Sequence, residues 1–386
     1  MELPQSANLP LTANHNRLSS IDLVRGFALL GIGLENLFSM HTQNADFAQY
    51  AAQYPQELNH WLLTGLMVLV RSKFYPIFSF VFGMSAALSL PQRGAGYFLR
   101  RLAALFGLGI LQTAFVWNGD VLTHYAAMGI LLLLLCRLPT TMLFILAGLL
   151  LTFSFTGELW VPAEIHNAPE MAQKATTAYT SGTFGQITVV RLTEFAAGFL
   201  NWEALWFLSR IFAFLLLGYT FTRAGGLRYW QNKYQVLRAF VLLAVGVGLV
   251  ALWFQVAGWR GEGELSRQLE WVKQLLFTAY FFGLVGCYLL LPVLLYHWLP
   301  LKKANDLLIA LGQHTLTHYL LQNLLFSLLF YHYGAGLYGK LAPWQCFALY
   351  ILVISVQLAL SHRWSKQGQR GPVEALLRYV VRGRSF

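Results

Sequence analysis

Apolar stretches of about twenty residues recur along almost the whole chain, and a helix of that length reaches across the hydrocarbon core of a bilayer. They fall at 21–41, 61–90, 99–117, 121–138, 140–157, 202–222, 238–257, 271–298, 306–331 and 345–362. Composition bears this out. Apolar residues occupy 57% of the 386 positions and charged residues only 11%, about half the charge a soluble domain carries. A soluble fold could not hide that excess, whereas lipid accommodates it. The expected fold is all-α, a polytopic membrane bundle of about ten transmembrane helices.

Basic residues give the orientation, because Lys and Arg accumulate on the cytoplasmic side of short loops. With the N-terminus inside, seventeen fall on cytoplasmic segments, among them Arg93, Arg137, Arg223, Lys302 and Arg382. Five fall outside: Lys174, Arg191, Arg260, Arg267 and Lys340. An N-in, C-in topology follows. The net charge of +11 is then mostly topological, with anionic lipid at the cytoplasmic face as its partner and no nucleic acid. Tryptophans near the span ends, such as Trp61, Trp117, Trp160 and Trp298, read as an interfacial belt.

The chain divides into a polar cytoplasmic N-terminus (1–20), an N-terminal membrane half (21–157), an outer loop (158–201), a C-terminal membrane half (202–362) and a basic cytoplasmic tail (363–386). Residues 1–20 lack the apolar core of a cleavable signal, so the first helix is expected to act as an uncleaved anchor. Residues 61–90 are too long for one upright crossing and contain Arg71, Lys73 and Pro76. They read as a tilted or kinked helix, or as an interfacial piece followed by a shorter span. Residues 186–200 fit a helix lying on the outer leaflet. Cys136, Cys287 and Cys346 are odd in number and widely spaced, which suits packing better than a disulfide framework or zinc.

Ionisable groups inside spans are costly and mark either a buried pair or a working centre. In the first span, Asp22 and Arg25 share a helix face, and Glu35, Asn36 and His41 follow toward its far end. Asp120 and His124 are four apart: an acid–base pair at a cavity mouth, or a turn whose aspartate caps the next helix. In the ninth span His314, His318 and Gln322 form an i, i+4, i+8 row with Thr315 and Tyr319 beside it. This polar stripe must face the bundle interior. It serves interhelical hydrogen bonding or lines a wet cavity. Two histidines without a third ligand do not make a metal site, and none is expected. Tail residues 370–378 combine a Gly-Pro helix start with Glu374 and Arg378 at i, i+4. They read as a basic amphipathic helix on the inner leaflet or as a lid over an inner-facing pocket.

Several ordered motifs together are specific: IDLVRGFALLGI from Ile21, KFYPIFSFVFGM from Lys73, Arg100-Arg101-Leu102, WNGDVLTHY from Trp117 to Tyr125, TLTHYLLQ from Thr315 to Gln322, and RGPVEALLR from Arg370 to Arg378. Through them the chain resembles the YeiB family of bacterial inner-membrane proteins along nearly its whole length. One departure is Gln112, where many YeiB-like sequences carry His.

The opening around Asp22 and Arg25 also looks like that of transmembrane acyltransferases, both the sugar O-acyltransferases and the heparan glucosaminide acetyltransferase. That resemblance implies an acyl group passed from a cytoplasmic acyl-coenzyme A such as acetyl-coenzyme A to a cell-envelope sugar or small acceptor. No permanently bound cofactor is implied. Where the bacterial enzymes carry a catalytic His, eleven positions after Arg25, this chain has Asn36. The implied catalytic set is therefore His60 or His41 as base, Glu35 or Asp120 as orienting carboxylate, and Asn36 as donor to the oxyanion. Arg25, Lys73, Arg100, Arg101 and Arg370 are the implied donor-binding cations. A transporter or flippase-type carrier of a polar or lipid-linked solute, and a non-catalytic sensor or scaffold, are the competing functions. A homodimer is a further expected partner state.

Overall fold

The computed structural model describes residues 11–42, 47–156, 169–200, 202–256, 270–298 and 302–382, and among them every regular element is helical. Trp160, Arg260, Arg267 and the polar residues 1–10 lie outside the described residues. Among the described residues six helices are long and apolar enough to cross a membrane, and Leu122–Leu135 and Thr140–Thr156 are shorter apolar helices. Large side chains such as Leu134, Phe144, Leu242 and Leu352 cover the outside of the bundle at more than half exposure. Water would penalise such a surface and lipid does not. The chain is a membrane protein.

The first half contains α1 (Leu11–His41), α2 (Phe47–Gln53), α3 (Glu57–Gly65), α4 (Phe74–Phe115), α5 (Leu122–Leu135) and α6 (Thr140–Thr156). After α7 (Pro169–Ser181) and α8 (Phe184–Leu200) come α9 (Trp202–Arg223), α10 (Leu227–Trp230), α11 (Lys233–Val256) and α12 (Glu270–Trp298). The chain closes with α13 (Lys302–Gln313), α14 (Thr315–Phe330), α15 (Pro343–Lys366) and α16 (Pro372–Arg382).

The long apolar run at 61–90 is broken into two pieces. Helix α3 runs into a π turn at Leu66–Val70, and the chain then breaks before α4 begins at Phe74. At the break Ser72 takes the left-handed conformation, φ 65°, which a non-glycine residue adopts only when its surroundings hold it there. Tyr288 Oη donates to the Leu69 carbonyl at 2.8 Å. Lys73 Nζ donates to that of Met67 at 3.3 Å. The unwound backbone is thus satisfied by side chains, as hydrocarbon requires.

Helix α4 is itself bent at Gly94 (φ 75°, ψ 166°), which divides it into arms of residues 74–93 and 95–115. The expected single helix over 306–331 is likewise broken. His314 leaves the helical region (φ −113°, ψ 23°) and separates α13 from α14.

Two helix crossings are set by glycine. On α1 and α13, Gly26 lies against the Leu308 carbonyl while Gly312 lies against that of Asp22. On α4 and α9, Gly83 and Gly218 meet the carbonyls of Leu215 and Phe80 in the same reciprocal way. A Cβ at any of the four would strike backbone. Small residues bring helices this close in membranes, where packing rather than water drives association. The α1–α13 crossing fixes Arg25 beside the start of α14, and the α4–α9 crossing holds the first arm of α4 against the core. Helix α11 stands at the edge, packing on α12 with only 6% of its apolar window buried.

Candidate functional site

A cavity of about 200 Å³ lies between α1, both arms of α4, α5, the end of α13, α14 and α16. Its walls are apolar, with Ile32, Phe78, Phe82, Leu105 and Leu316 among them. At one end stand Arg25, Arg101, Gln313 and Glu374; at the other are Val121, Leu122, Tyr125 and Tyr319.

Local structure explains the cationic end. Arg25 donates to Asp22 Oδ1 at 2.9 Å, one turn back on α1, and its other nitrogen donates to the Ser85 hydroxyl of α4. It is thus held across two helices with one face toward the cavity. Arg101 lies over the Phe82 ring, 5.6 Å from its centroid. Arg25 and Arg101 sit near enough to repel one another. Asp22 and Glu374 stand with the two guanidinium groups at this end, and the guanidinium forks are the groups there that suit a phosphate.

The opposite end is organised by Asp120. Its Oδ2 accepts the backbone N–H groups of Leu122 at 3.0 Å and Thr123 at 3.2 Å, so it caps α5. Its Oδ1 accepts the Tyr319 hydroxyl at 3.2 Å. The capping role and the tie to a cavity residue therefore coexist. Asp120 is 1% exposed and communicates with the cavity through Tyr319. The acid–base pair with His124 does not form. His124 Nδ1 meets the Asp120 backbone oxygen at 2.9 Å, since the start of the helix turns the imidazole toward that carbonyl, and its ring packs against Phe207.

The floor of the cationic end is α16. Glu374 accepts both the backbone N–H of Thr317 at 3.0 Å and the Thr317 hydroxyl. It thus closes the N-terminus of α14 from another part of the chain, where a carboxylate meets unpaired N–H groups and the positive helix end. The expected Glu374–Arg378 pairing gives way to this cap. Arg100 Nε donates to the Val381 carbonyl at 3.0 Å and ties the far end of α16 to α4. Leu377 and Glu374 face into the cavity. Arg370 is exposed just ahead of the helix.

Other residues singled out from sequence lie elsewhere. Glu35 and Lys73 belong to the break ahead of α4, ten residues along α1 from Arg25, or about 15 Å. Glu35 Oε1 accepts the Ser72 N–H at 2.8 Å. Lys73 therefore does not join the arginines. Asn36 spends its amide on Asn323 of α14, donating at 3.0 Å, and lies outside the cavity lining. His41 is fully buried between the rings of Tyr50 and Phe330. Its Nδ1 meets the Thr42 hydroxyl at 2.7 Å, and Nε2 accepts the Leu341 N–H at 3.2 Å. That histidine fastens the 331–342 turn. His60 is exposed on α3, beside Trp61.

The ninth-span stripe divides. His314 contacts the carbonyls of Ala310 at 2.7 Å and Gln369 at 3.1 Å. His318 Nε2 meets the Ser361 hydroxyl at 2.6 Å, and its ring stacks on Trp364. Gln322 donates to Gln357 at 2.6 Å. His318 and Gln322 thus bond across to α15, whereas His314 bonds the carbonyls of Ala310 in α13 and of Gln369 beyond α15, with its ring against Trp364. Thr315 and Tyr319 turn instead to the cavity. Among the described residues no group of three or more His, Cys, Asp or Glu could hold a metal.

Sequence reading missed Ser85, Gln313 and the pairing of Asn323, which carry no periodic or charge signal of their own. It also missed Arg210 in α9, which donates to the Ser154 hydroxyl at 2.6 Å and lies over Phe155. A scan for arginine inside apolar runs would have found it. Arg191 of α8 was expected at an outer surface and is instead fully buried, its guanidinium stacked against Tyr331 and Tyr333. Aromatic faces substitute there for water.

Residues 221–384 match the family described as "Protein of unknown function (DUF418)". Over almost its full length the chain is 28% identical to the uncharacterized protein YxaH of Bacillus subtilis, covering 96% of each chain. It is 26% identical to the uncharacterized protein YeiB of Escherichia coli, covering 94% of this chain and 95% of that one. An uncharacterized 39.9 kDa protein of Bacillus acidopullulyticus is also 26% identical over 96% of this chain. No solved structure matches. The chain is thus similar to the YeiB-like proteins from end to end, with its second half carrying the DUF418 match.

Proposed function

We propose that this is a ten-span protein of the bacterial inner membrane, N-in and C-in, that acts as an acyltransferase. In this reading it takes an acyl-coenzyme A from the cytoplasmic side and acylates a sugar or small hydroxyl-bearing acceptor of the envelope. The Gly94 bend supports the count by dividing α4 into two crossings, while α13 and α14, though interrupted at His314, count as one. With α1, α5, α6, α9, α11, α12 and α15 this makes ten. The distribution of Lys and Arg supports the orientation.

One observation carries the reaction class: a single cavity has two arginines at one end, apolar walls, and a tyrosine bonded to a buried aspartate at the other. Acyl-coenzyme A has its phosphates at one end and its reacting carbonyl beyond the pantetheine arm at the other. Arg25 and Arg101 attract the phosphates, and the walls exclude water from the thioester. Tyr319 accepts the acceptor's proton while passing its own to Asp120. The acceptor oxygen bonds to the carbonyl carbon, the carbon–sulfur bond breaks, and the thiol leaves with the proton returned through Tyr319. His41 and His60 have no part in this scheme.

Thermal unfolding of the purified protein with and without acyl-coenzyme A tests it. A ligand at 100 times its Kd adds about 2.7 kcal/mol to the native state, so the transition rises measurably. Arg25→Gln and Arg101→Gln each diminish that rise. If acyl chains of several lengths all leave the transition unmoved, the acyltransferase reading falls. The two chain breaks, ahead of α4 and at His314, favour a second reading. Discontinuous helices build solute sites in carriers, and ligand binding without turnover would turn the assignment to transport.

A further inference from the structure

The cationic end of the cavity is not the only concentration of arginine. A second lies on the other side of α16, outside the cavity. Arg93 precedes the Gly94 bend, and its Nη1 donates to the Tyr97 hydroxyl at 2.6 Å with the guanidinium over the Tyr97 ring. Arg378 of α16 lies close to Arg93, Arg370 and Arg382. Partial burial lowers its proton affinity first, and repulsion from those three lowers it further. The one carboxylate of α16, Glu374, is committed to Thr317 on the opposite side. Like charges are thus gathered with no acid between them, an arrangement that a bound anion stabilises.

The same helix exposes a second feature. Leu376, Tyr379 and Val380 recur at i, i+3 and i+4 and are each more than half exposed. They form an apolar stripe on a helix that starts six residues after the last membrane-crossing helix ends at Lys366. An exposed apolar stripe bordered by arginines is the pattern of a helix lying in the headgroup layer. A water-soluble phosphate would account for the arginines and leave the stripe unexplained.

We propose that Arg93, Tyr97, Arg378 and Arg382 bind the phosphate of an anionic phospholipid in the adjacent leaflet, and that this lipid fastens α16 beneath the cavity. Leu377 and Glu374 line the cavity on the inner side of the helix, so the bound lipid holds its floor shut. The inference rests on the chain lying in a membrane and not on acyl transfer. Each arginine near an anionic surface adds about fivefold to the affinity.

The full-length protein in nanodiscs of phosphatidylcholine, alone or with phosphatidylglycerol, tests the site by amide hydrogen exchange over residues 372–382. Exchange is expected to slow on the order of tenfold in the anionic discs. The triple variant R93Q/R378Q/R382Q is expected to exchange alike in both discs. Equal exchange of the unaltered protein in the two discs overturns the proposal. So does a variant that keeps the difference. Should the variant fail to fold, ionic strength replaces it. At about 1 M salt, where charges are screened beyond about 3 Å, the lipid dependence of the unaltered protein disappears, and its persistence overturns the proposal. Inorganic phosphate added to phosphatidylcholine discs separates the two sources. Protection equal to that from phosphatidylglycerol assigns the site to a soluble anion and removes the lipid.

Discussion

Helix α14 has two polar faces, and they use the same kinds of residue to different ends. Toward α15, His318 and Gln322 find Ser361, Trp364 and Gln357. That face is closed, with helix against helix. Toward the cavity, Thr315 and Tyr319 meet an apolar-walled space, and Tyr319 reaches Asp120. Residues one position apart, His318 and Tyr319, therefore differ in what their removal exposes. A polar group that bonds a neighbouring helix contributes stability; one that borders a cavity is available to a ligand. A hydropathy profile scores both as interruptions of an apolar run.

Mutations can pull the two faces apart. The largest effect is expected from Tyr319→Phe, which keeps the ring and removes the hydroxyl bonded to Asp120. Turnover of the proposed transferase is expected to drop about a hundredfold or more, while the stranded Asp120 oxygen costs about 1–3 kcal/mol of stability, as read by product formation and calorimetry side by side. Turnover that survives the change would make the cavity face as passive as the other. His318→Ala is expected to affect stability alone. Loss of the Ser361 bond and the Trp364 stack costs about 1–2 kcal/mol of stability, while the rise in unfolding temperature with acyl-coenzyme A persists.

A smaller and sharper test uses the pair Gln322 and Gln357. Gln322→Leu strands the Gln357 carbonyl oxygen and is expected to cost about 1 kcal/mol. Adding Gln357→Leu removes the stranded group, so the double variant is expected to be less destabilised than the two singles added together. Additive costs, measured by denaturation of all three, would deny that these side chains are a unit. The smallest effect is expected from His60→Ala. His60 is exposed on α3 and away from the cavity, so stability should stay within about 0.5 kcal/mol and ligand-induced stabilisation should be unaltered. A loss of turnover there would return the catalytic base to α3.

The elements differ in how much of them could be read in advance. Apolar runs marked the crossing helices because lipid imposes a length on each of them independently. Asp22 and Arg25 were read as a pair because three residues along one helix is a local relation. Asp120 as a cap needed only the turn around Asn118 and Gly119. The tie between Asp120 and Tyr319 joins positions 199 residues apart, and no spacing encodes it. His41 and Asn36 looked like working groups because a buried polar residue is costly wherever it lies. What discharged that cost, Leu341 for one and Asn323 for the other, came from remote helices. The inverse holds for Glu374, read as a partner for Arg378 one turn away and found instead capping α14.

The sequence by itself determined that this chain lives in lipid as a helical bundle, and which residues would be expensive there, because both follow from the energy of placing each group in hydrocarbon. Only the tertiary structure decided which of those residues are spent on one another and which border an open space. That choice depends on helix crossings set at Gly26 and Gly312, and at Gly83 and Gly218, where two backbones approach as nearly as atoms allow and so fix what every side chain beyond them can reach.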